Sequence, residues 1–290
     1  MVEIMSQSIN LLTDADLTLT EKDFCRVRDV IYQHCGINLH DGKKSLVRAR
    51  LAKLLRLGKF KTYTEYLDFV LSDAGRQEFY SFVDSLSTNL TCFFRENVHF
   101  AYLRHTFLPQ LIQRKSQHNQ RKIRAWSAGC SSGEEPYSLA ITLLETLQNT
   151  GTWDIKILAT DVSTRILEIA KMGVYEKERV EPLAGAQKQR FLIPRRMEGH
   201  TVYQVGPNLK KIISFRYLNL MDPWPFNGPF DFIFCRNVMI YFDKTTQGKL
   251  INRYYDCLDS GGLLCLGHSE SLTGIQHKYL YVQPATYQKP

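Results

Sequence analysis

Residues 123–138 read IRAWSAGCSSGEEPYS and decide the fold class of this 290-residue chain. Ile123–Ala128 has the composition of a buried β-strand, Gly129 and Gly133 predict a tight turn, and a helix should begin at Glu134. In open α/β folds, a strand, turn and helix of this kind bind nucleotide-type ligands at the carboxyl end of the strand. The glycine spacing is GxxxG rather than GxGxxG, so the glycines alone carry little weight.

Short β-rich runs alternate with helical segments from Ile123 onward, which is the pattern of a parallel sheet with helices on both faces. Between Phe191 and Phe215, shorter extended runs and turn residues predict an inserted antiparallel β-subdomain, either a hairpin or a three-stranded flap. We therefore expect an α/β fold with a doubly wound, mostly parallel sheet. The predicted strands are Ile123–Ala128, Ile155–Ala159, Ile213–Tyr217, Phe230–Phe234 and Leu263–Gly267, with Tyr279–Gln283 as a final edge strand.

The residues before this sheet carry apolar side chains at helical spacing, interrupted by glycines. The expected layout is a small all-helical domain over residues 1–86, a linker and connecting helix over 87–122, and the main domain over 123–290 with the β-subdomain at about 191–215. The helices predicted in the first domain are Glu21–Cys35, Lys43–Leu57, Thr64–Ser72 and Ala74–Leu86.

The composition is that of a globular protein, with 44% hydrophobic and 23% charged residues. No run approaches the ~18 apolar residues of a membrane span, and Met1–Asp16 lacks an export pattern, so we expect a cytoplasmic protein without membrane insertion.

The seven cysteines are scattered without a CxxC pair, so most should be buried, and neither a disulfide framework nor a metal site is expected. The net charge of +8 admits a nucleic acid, an acidic membrane surface or an acidic protein as partner.

Two adjacent acids, Glu134 and Glu135, stand where the predicted helix begins. A helix N-terminus favours anions, but these carboxylates would repel a pyrophosphate and attract a cation. S-adenosylmethionine, which carries a sulfonium and an ammonium, therefore suits this turn better than a dinucleotide. The alternative is that both acids only complement the helix dipole.

Asp161 closes the second predicted strand, at the place where doubly wound folds put a carboxylate that accepts hydrogen bonds from ribose hydroxyls. The alternative is that Asp161 caps the helix predicted over Ser163–Met172.

Arg236, Asn237 and Tyr241 follow the fourth strand and should face the ligand cleft at the carboxyl edge. Alternatively, Tyr241 is a core residue of the next helix. Upstream, residues 87–96 combine hydrogen-bonding groups with two phenylalanines and suit a lid over the cofactor, although Thr91 could instead cap a helix.

Together these stretches resemble the chemotaxis receptor methyltransferase (CheR) family over nearly the whole chain. The matching residues are TNLT at 88–91, FFRE at 93–96, GEEPYS at 133–138, FCRNVMIYF at 234–242 and GHSE at 267–270. The resemblance implies a Rossmann-like methyltransferase domain that uses S-adenosyl-L-methionine, without metal, and releases S-adenosyl-L-homocysteine. It also implies that the substrates are glutamate side chains of methyl-accepting chemotaxis receptors, which are methylated for adaptation in bacterial chemotaxis.

Carried over by position, the resemblance implies that Arg95 and Tyr241 lie nearest the transferred methyl and act as catalytic residues. The expected partners are acidic helical segments of receptors rather than nucleic acid, and a monomer is expected. The implied cofactor contacts are Asn89, Thr91, Arg95, Glu135, Asp161, Asn219, Leu220, Arg236 and Asn237.

The second predicted helix has an apolar face formed by Val47, Leu51, Leu54 and Leu55, whereas Arg48, Lys53 and Arg56 lie on its other side. This basic face either docks the glutamate-rich receptor helices or is simply solvated. The inserted β-subdomain resembles one through which some family members bind a receptor tether. Residues 194–200 lack the glycine-rich turn of those tether binders.

Two other classes of protein compete with this interpretation. The basic composition would suit a nucleic-acid methyltransferase, but the fourth strand ends in Arg236-Asn237 rather than a Pro-Pro-aromatic motif, and no cysteine follows a proline. A receptor-binding module without catalytic activity would not need the polar residues of the cleft.

Overall fold

The computed structural model describes residues 17–147, 150–226 and 228–290. The chain divides into two compact units, one through Ser87 and the other from Thr88 to Pro290.

The first unit contains four α-helices: α1 (Glu21–Cys35), α2 (Lys44–Leu57), α3 (Tyr63–Val70) and α4 (Arg76–Leu86). α1 has its predicted bounds because the Thr20 side chain accepts a hydrogen bond from the Asp23 amide and Gly36 ends the helix at φ 71°. The other helices lie within two residues of their predicted bounds. α2 and α4 begin later than predicted because single 3₁₀ turns, Asp41–Lys43 and Asp73–Gly75, precede them.

The second unit begins with α5 (Val98–Tyr102) and α6 (Leu108–Gln117), which are joined by a π-helical turn. Its remaining elements in chain order are β1 (Lys122–Ala128), α7 (Glu134–Thr146), β2 (Asp154–Asp161), α8 (Thr164–Met172), β3 (Val174–Glu176), α9 (Gly185–Phe191), β4 (Leu192–Met197), β5 (His200–Val205), α10 (Pro207–Lys210), β6 (Ile213–Tyr217), β7 (Phe230–Cys235), α11 (Lys244–Cys257), β8 (Leu258–Leu266), β9 (Leu280–Gln283) and β10 (Thr286–Gln288).

The main sheet has the strand order β6-β2-β1-β7-β8-β10-β9. The first five strands are parallel, and the last two pair antiparallel, which confirms the predicted doubly wound, mostly parallel sheet. The expectation that Tyr279–Gln283 forms the final strand is wrong. β9 is the edge strand, but the chain turns back at Pro284-Ala285 and inserts β10 between β9 and β8.

Alternate residues of the central strands are buried on opposite faces of the sheet. Ala125 and Phe232 pack with α5, α6 and α7 on one face, whereas Trp126 and Ile233 pack with α11 on the other. These strands are therefore buried on both sides, which accounts for their near-continuous apolar sequence.

The antiparallel subdomain is a three-stranded sheet in the order β3-β5-β4. Its presence confirms the predicted insertion, but β3 precedes the predicted start at Phe191, because a three-residue strand leaves almost no pattern in the sequence. In the part of the chain that the structure describes, no helix is long and apolar enough to cross a membrane. All seven cysteines are free and five are buried.

Candidate active site

The carboxyl ends of five parallel strands meet at one edge of the main sheet. Strand order reverses between β1 and β7, because the chain runs outward from β1 through β2 to β6 and later from β7 to β8. Such a switch point leaves a crevice at the carboxyl edge, which is where open α/β sheets bind ligands. Most residues predicted for the cleft follow these strands, whereas Asn89, Thr91 and Arg95 precede β1 in the chain.

The turn between β1 and α7 depends on left-handed backbone conformations. Gly129 and Gly133 have φ of 82° and 98°, and Ser131 has φ of 50° despite its side chain. The amides of Gly129 and Cys130 both donate to the Thr160 carbonyl at the end of β2. The predicted tight turn is therefore present and is held against the neighbouring strand.

Asp161 joins this turn to the start of α8. Its two carboxylate oxygens accept hydrogen bonds from the Ser131 amide at 2.8 Å and the Ser163 amide at 3.0 Å. The helix cap is Ser163, whose hydroxyl accepts from the Ile166 amide, so Asp161 does not cap α8. Both bonds hold the carboxylate at the end of β2, which is where doubly wound folds bind ribose hydroxyls.

Glu134 and Glu135 are both buried, and each has a basic partner from a distant part of the chain. Glu134 is fully buried and pairs with Arg179 and with the Ser132 hydroxyl. Burial raises the pKa of Glu134, and the charge of Arg179 opposes this effect. Glu135 accepts from the Ser127 hydroxyl and from Arg236 Nε, both at 2.7 Å. The negative charge that the sequence places at this helix start is thus largely neutralised by two arginines.

Arg236 is the centre of a buried hydrogen-bond network. Besides Glu135, its guanidinium donates to the Arg95 carbonyl at 2.6 Å and to Glu96 at 3.4 Å. The rings of Phe100 and Phe234 lie 5.2 and 5.5 Å from the guanidinium carbon, so the cation also contacts two aromatic faces. Arg236 thus ties the end of β7 to the start of α7 and to the segment that carries Arg95.

His99 accepts a further hydrogen bond from this guanidinium, with Nδ1 3.3 Å from the arginine nitrogen. Burial and, to a smaller extent, the positive charge of Arg236 lower the pKa of His99 to about 4. Ligand atoms of Glu96, His99 and His268 lie within 4.8 Å of one another, as in a metal site. Glu96 and His99 already interact with the guanidinium of Arg236. The three residues are therefore part of a hydrogen-bond network around that cation.

The segment from Asn89 to Glu96 forms a strained loop rather than a helix start. Phe94 and Glu96 have φ of 52° and 54°, and α5 begins only at Val98, so Thr91 does not cap it. The Asn89 carbonyl accepts from the Ser131 hydroxyl, and the Phe94 amide donates to the Ser138 hydroxyl. The first contact holds the loop against the β1–α7 turn, and the second holds it against α7.

Arg95 and Thr91 are half-buried in this loop. The guanidinium of Arg95 donates to the Leu90 carbonyl of the same loop at 2.8 Å. This single bond uses one of its five N–H donors, which leaves the others available to a ligand.

Tyr241 lies in a 3₁₀ turn, Met239–Tyr241, and not in the next helix, which begins at Lys244 after its cap Asp243. It is half-buried, and its hydroxyl has no hydrogen-bond partner among the described residues. Tyr241 is therefore not the core residue of α11 that the alternative interpretation required. Asn237, at φ 58°, begins the same turn.

Asn219 and Leu220 follow β6 at the same edge and are both buried. The side chain of Asn219 accepts from the Met221 amide at 3.1 Å, and the Leu220 carbonyl accepts from Arg253 at 2.6 Å. These bonds define a rigid turn beside the end of β2.

Two family models match the chain. The model described as the CheR methyltransferase SAM binding domain matches residues 89–287, and the CheR methyltransferase all-alpha domain matches residues 22–87. The chain belongs to the CheR methyltransferase family. It is therefore an enzyme that uses S-adenosylmethionine, as the sequence motifs predicted.

Curated relatives match the CheR-family chain over most of its length. The chemotaxis protein methyltransferase of Borreliella burgdorferi is 40% identical over 94% of this chain and 96% of its own length. A probable chemotaxis protein methyltransferase of Rhizobium etli is 41% identical over 89% of this chain and 96% of its own. Chemotaxis protein methyltransferase 2 of Pseudomonas aeruginosa is 40% identical over 92% of this chain and 93% of its own.

Sequence reasoning missed several residues that shape this CheR-family site. Arg179 and His99 stand in none of the matched motifs, Glu96 closes the FFRE motif without a predicted role, and each meets its partner only through the fold. Glu270 was within a recognised motif, GHSE, but its role was not predicted. Its buried carboxylate accepts hydrogen bonds from the amides of Gly267, Asn237 and Ile240.

The predicted docking residues lie on α2 of the first unit. Arg48 and Lys53 are exposed, whereas Arg56 is half-buried. On the apolar side, Val47, Leu51 and Leu55 are buried as predicted, and Leu54 is half-buried.

Proposed function

We propose that this enzyme transfers the methyl group of S-adenosylmethionine to glutamate side chains of chemoreceptors in the cytoplasm, giving glutamate methyl esters and S-adenosylhomocysteine. The observation that carries the proposal is the arrangement at the carboxyl edge. A carboxylate that can receive a ribose, Asp161, lies at the same sheet edge as two polar side chains with unused hydrogen-bonding capacity, Arg95 and Tyr241.

The donor groups at this edge fit the proposed cofactor. Asp161 is fixed by two backbone amides, and we assign it to the ribose hydroxyls. We assign further cofactor contacts to Asn89, Thr91, Asn219, Leu220 and Asn237, which lie on three loops. Glu135 and Arg236 neutralise each other, so their proposed contribution is to shape the cleft beside the cofactor. When bound, S-adenosylmethionine supplies an electrophilic methyl on sulfur.

The protein residues need only align the incoming carboxylate and exclude water from it. A glutamate side chain, with an ordinary pKa of about 4.3, is already ionised at neutral pH and needs no general base. We assign the free N–H groups of Arg95 to the carboxylate and the Tyr241 hydroxyl to its orientation. Held in line with the methyl, the carboxylate reacts in an effectively unimolecular step.

Replacing Asp161 with alanine should weaken S-adenosylhomocysteine binding by ~1.5–3 kcal/mol, because hydrogen bonds to a charged acceptor are lost. Isothermal titration calorimetry measures this change. Asp154→Ala is the matched control, since Asp154 lies at the opposite end of the same strand and is exposed. Equal affinities for the two variants would remove the ribose assignment.

We further propose that the exposed cations of α2 dock the acidic methylation helices of receptors. Arg48 and Lys53 project from the helix whose apolar face is buried in its own domain, so their charges are available to a partner. An acidic helix would be attracted by this face, and the attraction would weaken as salt increases.

Reversing both charges, by Arg48→Glu with Lys53→Glu, should raise the apparent KM for receptor at low salt and leave S-adenosylhomocysteine affinity unchanged. The difference from the wild-type enzyme should shrink at high salt. Arg56 is left unchanged because it is half-buried, so reversing its charge would destabilise the fold as well as alter docking. Lys22→Glu with Lys61→Glu makes the same charge change at exposed positions elsewhere in this unit. If both double variants raise KM equally, docking is not specific to α2.

The product distinguishes the proposed reaction from methylation of nucleic acid. A glutamate methyl ester is an activated acyl group that hydroxide hydrolyses to methanol, whereas a methyl on a base or an amine nitrogen survives mild alkali. Labelled methyl groups transferred to receptor-rich membranes should become volatile after brief alkaline treatment. Base-stable label, or preferential labelling of added nucleic acid, would contradict the proposed function.

A further inference from the structure

The turn formed by Gly267, His268, Ser269 and Glu270, here called the GHSE turn, follows β8 at the carboxyl edge. The Glu270 amide donates to the Gly267 carbonyl at 2.8 Å, which closes the turn. Glu270 is 6% exposed, so its carboxylate points into the protein rather than into solvent. A buried carboxylate requires several donors, and its partners show what the turn does.

Backbone amides hold this carboxylate. One oxygen accepts from Gly267 at 2.6 Å and from Asn237 at 2.9 Å, and the other accepts from Ile240 at 3.1 Å. Asn237 and Ile240 belong to the turn that ends in Tyr241. Glu270 therefore holds both ends of that turn while Asn237 keeps its left-handed backbone conformation.

The GHSE turn also reaches the loop that carries Arg95. The His268 amide donates to Glu96 Oε2 at 3.2 Å, and the same oxygen lies 3.4 Å from Arg236. The residue after Arg95 is thus fixed from two sides. The GHSE turn also packs closely against the 237–241 turn. A Cβ on Gly267 would lie 2.9 Å or less from the Asn237 amide nitrogen and side chain.

We propose that Glu270 is a positioning residue for methyl transfer: through the GHSE turn it fixes Tyr241 relative to Arg95. This inference rests on the proposed function, since it concerns the two residues assigned to the methyl-transfer step. Glu270 itself contacts neither substrate nor cofactor in this assignment. Its effect is exerted through the backbone of residues 237–241.

The test compares two conservative variants, Glu270→Gln and Asp231→Asn. Glutamine keeps the size of Glu270 but turns an amide N–H₂ toward backbone donors, so the 237–241 turn must shift. Asp231 is the matched control, because it is also a buried carboxylate that accepts from a backbone amide, Arg124, but it lies at the amino end of β7. We expect Glu270→Gln to lower kcat at least about tenfold, because small displacements of reacting groups lower the rate by up to about 100-fold. Cofactor affinity should fall by a smaller factor. Asp231→Asn should keep the wild-type kcat.

A second variant and a second readout keep the outcome decisive if Glu270→Gln folds poorly. Gly267→Ala keeps the charge of Glu270, but the added Cβ would lie 2.9 Å or less from Asn237 and from Glu270 Oε2, so it should separate the carboxylate from the turn and produce the same selective loss of kcat. Hydrogen exchange of the peptide covering residues 236–242 should accelerate in both site variants and not in Asp231→Asn. Wild-type kcat in both site variants, or unchanged exchange, would overturn the inference. A wild-type enzyme that transfers no methyl would instead refute the proposed function, and the exchange measurement would still decide whether Glu270 holds the turn.

Discussion

Replacing Arg95 with alanine should lower kcat for receptor methylation by about 100- to 1,000-fold, the usual effect of removing a charge-stabilising donor from an active site. Arg95 has N–H groups left over after its bond to the Leu90 carbonyl, and these are assigned to the attacking carboxylate. The affinity for S-adenosylhomocysteine should fall much less than kcat, because alignment of the carboxylate matters only in the transition state. Steady-state kinetics with labelled cofactor, together with calorimetry, measure the two quantities.

Two further variants define what Arg95 contributes. Arg95→Lys keeps the charge but lacks the planar fork that binds a carboxylate through two N–H groups, so it should recover only part of the rate. Arg114→Ala is a matched control, because Arg114 also donates to one backbone carbonyl, that of Ser260, at the far end of β8. A fully active Arg95→Ala enzyme would withdraw the role assigned to Arg95 but leave the ester chemistry intact.

Replacing Arg236 with methionine should lower the free energy of unfolding of the second unit by ~3–5 kcal/mol, because it leaves a buried carboxylate without its partner. The side chains of Arg236 and Glu135 are 1% and 8% exposed, so solvent cannot replace the lost interaction. The measurement is urea unfolding followed by tryptophan fluorescence. All three tryptophans, at 126, 153 and 224, lie in the second unit, so the signal reports that unit alone.

The double variant Arg236→Met with Glu135→Gln is the control for this loss. It removes both charges, so its destabilisation should be smaller than the sum of the two single changes. A loss below ~1 kcal/mol in Arg236→Met would be typical of an exposed ion pair and would mean that the network around Arg236 is not a stabilising one.

Local chemistry explains why much of the fold was predictable. α1 could be delimited because a capping threonine and a left-handed glycine act within one turn of the helix. The strands of the main sheet were predicted because double burial requires long apolar runs, as in β7. β3 and β10 were missed, since strands of three residues depend on pairing with distant neighbours and leave little local pattern.

The site was predictable as a set of positions but not as a set of contacts. Motifs led to Arg95 and Tyr241, and the end of the second predicted strand led to Asp161. The charge argument for Glu134 and Glu135 could not include Arg179 and Arg236, because each arginine is dozens of residues away in sequence. Short-range patterns show where a charge stands, whereas its partner is determined by the topology. The roles of these residues in binding and catalysis stay predictions.

The order of strands in the main sheet also bears on how fast this protein can fold. β1 and β7 are adjacent, yet their paired residues Ala125 and Phe232 are about a hundred positions apart in the chain, and closing such a long loop slows folding. Glu135 follows β1 and Arg236 follows β7, so their ion pair can form only after these strands have met. We therefore expect the catalytic edge to be among the last regions to consolidate, during synthesis as well as refolding, and to be the part of the enzyme most exposed to kinetic trapping.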